Sequence, residues 1–349
     1  MAYTTIDDPT QFFNTLLYTG NAADGSSTTQ DITGVGFQPD WVWLKSRTEA
    51  NHHFLVDSVR GANKGLYSDL TNAENTSTNY LKSFASDGFQ VGPDGVVNAN
   101  SQSYVSWNWL AGGSASSNSD GDVTSSVSAN TTAGFSIVKF TSSSSSGAMT
   151  VGHGLGATPQ VVIVKDIGAT GNWQVYFEGI GTANQQYLKL NATDAVTNYS
   201  GLWGAGMTSS LIGIGVGVAV DASESDIAYC FAEKKGYSKF GSYTGNQNTD
   251  GPFVYTGFRP AWVMVKRTDS TSDWLICDSK RPGFNPIDDK LFPNTSQVED
   301  PYESFDFVSN GFKVTSAGTG HNASGANMIY MAFAESPFVN SNGAPNNAR

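Results

Sequence analysis

Charge is scarce in this sequence: Asp, Glu, Lys and Arg make up 14% of its 349 residues, where a soluble domain usually carries about a quarter. Low charge together with 12% aromatic residues excludes a disordered chain, which is charge-rich and aromatic-poor. The charge that exists is mostly acidic, giving a formal net charge of -12. An acidic surface repels phosphate backbones and anionic lipid, so neither a nucleic-acid partner nor membrane insertion is expected. There are only two cysteines, Cys230 in IAYCFA and Cys277 in DWLICD. That excludes a disulfide framework and reads as two buried, reduced core thiols. The N-terminus, MAYTTIDDPTQFFN, lacks a basic start followed by an apolar core, so no secretory signal is expected. No run reaches the roughly 18 apolar residues of a membrane helix. The longest candidate, Leu211–Val220, is interrupted by alternating glycine. No stretch of helix length shows a convincing 3.6-residue period.

What is present repeats itself. GFQPDWVWLK at Gly36–Lys45 returns as GATPQVVIVK at Gly156–Lys165 and as GFRPAWVMVK at Gly257–Lys266. Other landmarks keep register with these three. YTGN stands at Tyr18–Asn21 and Tyr243–Asn246, with FTSS at Phe140–Ser143 in the middle copy. HFLVDS at His53–Ser58 matches WLICDS at Trp274–Ser279, with Trp173 in the corresponding place. DGFQV at Asp87–Val91 matches NGFKV at Asn310–Val314. Each copy closes on an aromatic strand: VSWNWLAG, IAYCFAE and IYMAFAE. The four apolar residues after each proline are short and rich in Val and Trp, as in a strand buried on both faces. Proline can open such a strand without breaking a ladder. Abundant glycine and Asp-Gly or Asn-Gly turns join the strands. The expectation is an all-β protein of three tandem β-sandwich units, spanning 1–113, 114–236 and 237–349. A barrel is the alternative topology.

Motifs that carry chemistry are lacking. There is no Gly-x-Ser-x-Gly elbow, Walker loop or zinc signature. Gly213, Gly215 and Gly217 alternate with Ile and Val, which places the glycines on one strand face as a bare surface for close packing, rather than in a dinucleotide turn. The four histidines, His52, His53, His153 and His321, lack metal-ligand spacing. Asp120 and Asp122 fit an Asp-Gly turn, and whether a weak calcium site lies near Asp120 is left open. Glu303 and Asp306 do not form the same-face carboxylate pair of a glycosidase. Asp57 and Asp278 recur at matching positions, which points to a shared structural bond. No enzyme, cofactor or metal is expected. Trp41, Trp43, Trp107, Trp109 and Trp262 fill either a core or a sugar-stacking surface, and they are the candidate binding residues.

The GFxPxWVxxK strand, the YTGN lead-in, the DGFxV hairpin and the aromatic closing strand resemble a repeated domain of marine and cyanobacterial phage virion proteins. The resemblance covers nearly the whole chain and implies a jelly-roll or concanavalin-like sandwich in a tail or head fibre or a capsid decoration. It implies other virion proteins as partners, a homo-oligomer (a trimer by preference), contact with a host-surface glycan, and location in the virion. It brings no catalytic residues. The middle copy lacks the Pro-x-Trp residue and carries the glycine-alternating strand instead, which suggests that it lies against a neighbour while the outer copies make external contacts. An array of carbohydrate-binding modules without a virion role is the other reading, and a sandwich glycosidase the third.

Overall fold

The structure is a computed structural model, and it describes residues 3–23, 25–181, 184–217 and 219–345. The chain is all-β, with several antiparallel sheets and, among the described residues, only single turns of α-helix at Gly95–Asn98 and Thr319–Asn322. The two cysteines are buried and unpaired.

One four-strand order occurs three times. In the first segment the strand Phe13–Thr19 pairs with Ser103–Trp109, which pairs with Trp41–Ser46, then Phe54–Asp57. In the second segment the order is Phe135–Thr141, Ser225–Phe231, Val161–Asp166, Gln174–Phe177. In the third it is Ser238–Thr244, Asn327–Pro337, Phe258–Arg267, Trp274–Asp278. The register is also common: Trp41, Val161 and Trp262 lie opposite Trp109, Phe231 and Phe333. The residue after each repeat proline offers its carbonyl to an equivalent N–H: Asp40 to Ser58, Gln160 to Glu178, Ala261 to Ser279. A smaller antiparallel sheet accompanies each large one, built on Gly88–Val91, on Gly147–Gly152 with Leu211–Val216, and on Gly311–Val314.

Period-two alternation sends the repeat strand into two different cores. Val42 and Leu44 face the first segment's small sheet, among Phe89 and Val91. Val162 and Val164 join Ile212 and Ile214, and Val263 and Val265 join Phe312 and Val314. The intervening residues Trp41 and Trp43, Val161 and Ile163, and Trp262 and Met264 all enter one further cluster shared by the three segments. The short apolar block is therefore buried on both faces, as its composition suggests.

The glycine-alternating strand ends at Val216 rather than Val220. A Cβ at Gly213 would stand 2.2 Å from the Trp203 carbonyl oxygen, and one at Gly215 would stand 2.2 Å from that of Gly201. The bare face is thus packed closely by backbone, that of the second segment's own 201–206 turn, while the second segment meets its neighbours through the shared cluster on the other sheet face. The Ser/Asn-rich stretch 113–133 contains two strands of the second large sheet, Ser116–Asn118 and Ser125–Asn130.

Candidate functional site

All five candidate binding tryptophans lie in the shared core. Trp41, Trp43, Trp107, Trp109 and Trp262 are at most 1% exposed. Trp41 packs on Trp109 and on Tyr229 of the second segment, with centroids 4.6 and 4.5 Å away. Trp109 meets Trp262 of the third edge-on at 5.7 Å. No ring face is left for a sugar, so their assignment as surface binding residues is corrected. An alternating Trp pair looks the same in sequence whether it faces solvent or another copy, so periodicity alone could not decide.

Around this core the segments interlock head to tail. Tyr229 of the second donates its hydroxyl to Asp57 of the first at 2.8 Å. Trp107 of the first donates Nε1–H to Asp278 of the third at 3.0 Å. The third place in this cycle is apolar: register sets Met331 where Trp107 and Tyr229 stand, and Phe177 where the aspartates stand. A second cycle joins backbones: the N–H groups of Glu74, Val196 and Glu299 donate to the carbonyls of Ile167, Thr268 and Arg47. In a third, Trp173 Nε1 donates to the Tyr67 carbonyl and Trp274 Nε1 to that of Lys189. His53 occupies the equivalent position in the first segment. Its Nδ1 accepts from Trp43 Nε1 at 2.9 Å, and its ring feels the Phe292 carbonyl although Nε2 makes no bond of full geometry.

The recurrent aspartates have the structural task expected of them. Asp57 Oδ1 accepts the Val59 and Arg60 N–H groups, and Oδ2 accepts Arg60 Nε. Asp278 does the same for Lys280 and Arg281. Both arginines are buried, and each also meets an acid beyond the following strand, Glu74 or Glu299. The repeat lysines Lys45, Lys165 and Lys266 are buried too. Each ammonium donates to the carbonyl of the following residue. Burial pushes all three down to about 8.

The remaining polar candidates are engaged structurally. His52 Nδ1 pairs with Asp69 at 2.6 Å, and Asp69 also accepts the His53 N–H. His153 faces the Thr208 carbonyl. His321 shares a 2.7 Å bond with Ser316, and burial pushes it down to about 4. Asp122 caps the Thr150 N–H and hydroxyl. Among the described residues no group of three or more His, Cys, Asp or Glu side chains is placed to hold a metal ion, and no helix is long and apolar enough to cross a membrane.

Among the described residues the exposed large aromatics are Tyr199 of the second segment and Phe253, Tyr255, Phe284 and Tyr302 of the third. Phe253–Tyr255 is an edge strand of the small sheet. Its Val254 turns into the core while both aromatics point outward. Beside Tyr255 a cleft of about 500 Å3 is lined by Tyr3, Glu233, Lys235, Ser238 and Lys239. The Tyr3 and Tyr255 hydroxyls are 3.0 Å apart, and Lys235 Nζ sits 4.4 Å from the Tyr3 ring centre. Aromatic rings beside paired charges form a contact surface for a polar partner. The sequence reading missed it because these residues lie outside the repeated motifs.

The class defined here is an all-β protein whose antiparallel sheets close around one shared aromatic core. A family model described as a domain of unknown function, DUF7483, matches residues 8–337, and the chain belongs to that family. No curated protein and no solved structure matches it.

Proposed function

We propose that the chain is a bacteriophage virion structural protein, an appendage or capsid decoration built of three tandem β-sandwich units, acting in assembly and host-surface contact rather than catalysis. The observation that carries this reading is the cyclic closure of three like segments around one core. Their inward faces are consumed by that closure, so contacts with other virion proteins fall on outer loops and edges. The threefold packing that separate subunits would supply is present within one chain. Further assembly into a homotrimer belongs to the same proposal and would use the outward surface. The aromatic face of the third segment, with Phe253 and Tyr255 exposed, is the surface assigned to the host side, a glycan being the fitting partner. A non-catalytic role is supported by the histidines and recurrent aspartates, each of which makes at least one structural hydrogen bond.

The same aromatic face favours the second reading, a carbohydrate-binding array without a virion role. Mass spectrometry of purified particles, with a density map, separates the two. The virion reading expects the chain at fixed stoichiometry on the particle. Particles that lack it, or a purified protein that hydrolyses polysaccharide, contradict that reading.

A further inference from the structure

The second segment carries a buried group of acceptors without donors. Asp166 and Asp226 are direct cross-strand partners. Gln174 lies opposite Val164, two residues before Asp166 on the same strand. Alternation places all three side chains on one face, the face turned away from the shared core. The equivalent cross-strand pair is Ser46 with Tyr104 in the first segment and Arg267 with Met328 in the third. Only the second segment sets two carboxylates against each other. Asp166, Asp226 and Gln174 are 3%, 0% and 7% exposed. Like charges across a strand pair repel, and burial strengthens the repulsion.

Neither oxygen of Asp226 makes a hydrogen bond of full geometry, Ser142 being its near donor, and Gln174 Oε1 has no partner. Ser142 is the adjacent donor, but its hydroxyl is given to the Asp221 and Glu224 carbonyls and its N–H to Glu224. Asp166 Oδ1 holds the Gly168 and Ala169 N–H groups, leaving Oδ2 with one long contact to the Asp221 N–H at 3.4 Å. The Lys165 ammonium is directed to the carbonyls of Asp166 and Ala169. A cavity of about 160 Å3 opens beside these groups, lined by Asp166, Gln174, Asp221, Asn172 and Thr170. A buried acceptor left without a donor keeps its full desolvation penalty, and native proteins satisfy such groups with water or an ion.

We propose that this cavity binds one divalent cation of the calcium type, with Asp166 and Gln174 Oε1 as side-chain ligands from its lining, Asp221 at its rim, and the Asp226 carboxylate across the strand pair from Asp166 as the uncompensated charge that draws the ion. The donor set is all oxygen and contains no thiolate or imidazole, which selects a hard cation. The ion offsets the charge of the facing carboxylates and ties the loop bearing Asp221 to the sheet.

The test is calorimetric titration of the full chain with calcium chloride, paired with thermal unfolding in calcium and in EDTA. One binding event per chain and a higher Tm in calcium are expected, with magnesium weaker. Asp226→Asn and Gln174→Leu should each remove the calcium-dependent rise while the circular dichroism in EDTA stays native. Asp122→Asn, an acid outside the cavity, should keep the rise. Absence of binding heat together with equal Tm in calcium, magnesium and EDTA would overturn the site, since water alone then fills it. So would an undiminished calcium response in Asp226→Asn.

Discussion

Tyr229 and Asp57, 172 residues apart in sequence, meet through an O–H···O bond of 2.8 Å in the buried centre of the molecule. Asp57 uses the same oxygen for Arg60, so a contact between segments and a turn within one segment depend on a single carboxylate. Trp107 and Asp278 repeat this between the first and third segments.

Two substitutions separate these tasks. Tyr229→Phe removes one bond to a charged acceptor and should lower stability by about 1.5–3 kcal/mol. Asp57→Ala strands the buried Arg60 guanidinium and should lower it by about 3–5 kcal/mol. Urea unfolding of both variants checks the order, and equal losses would mean that Asp57 serves the interface alone.

The repeat lysines give a pH signature. Folded Lys45, Lys165 and Lys266 titrate at about 8, below the roughly 10.4 of an unfolded lysine. Above pH 8 the unfolded chain therefore holds more protons than the folded one, and stability rises with pH. The rise should show between pH 8 and 9. Beyond that, Cys230 and Cys277, pushed up to about 12 by burial, act in the opposite sense. Lys45→Met should reduce the slope by about one third, since one of three equivalent protons is removed. Unfolding free energies at closely spaced pH values read this directly.

The close approach at the glycine strand is testable by one methyl group. Gly213→Ala and Gly215→Ala each place a Cβ against a carbonyl oxygen, and overpacking of this kind costs about 1–3 kcal/mol. Gly95→Ala, whose Cβ would meet only the Ala99 methyl at 3.9 Å, should be neutral or slightly stabilising. Thermal unfolding of the three variants should rank them in that order.

The exposed aromatic face should be dispensable for folding. Phe253→Ala and Tyr255→Ala should change stability by no more than about 0.5 kcal/mol while weakening attachment to the host surface. Cell-binding assays with the purified double variant check this, and unchanged binding would remove the face from the proposed function.

The all-β class was legible because strand period and turn chemistry are local signals. The repeat register was legible as well, since Pro39, Pro159 and Pro260 mark strands with the same neighbours. What Trp41 and Trp109 touch was not legible. Their alternation requires a buried face but does not say whether a second sheet or another segment buries it. Asp57 and Asp278 showed their recurrence, but not their donors Tyr229 and Trp107, which lie far away in sequence. The Asp166–Asp226 pair escaped notice because strand pairing, not sequence spacing, brings it together.

The shared core is the central claim, and differential scanning calorimetry of the intact chain tests it most directly. With Trp41, Tyr229 and Trp262 in one cluster, the three segments should unfold in one transition, with calorimetric and van't Hoff enthalpies equal. The segment 114–236 expressed alone should fail to give a folded monomer. Resolved transitions in the intact chain, or a stable, monomeric 114–236 with its own melting point, would contradict the account.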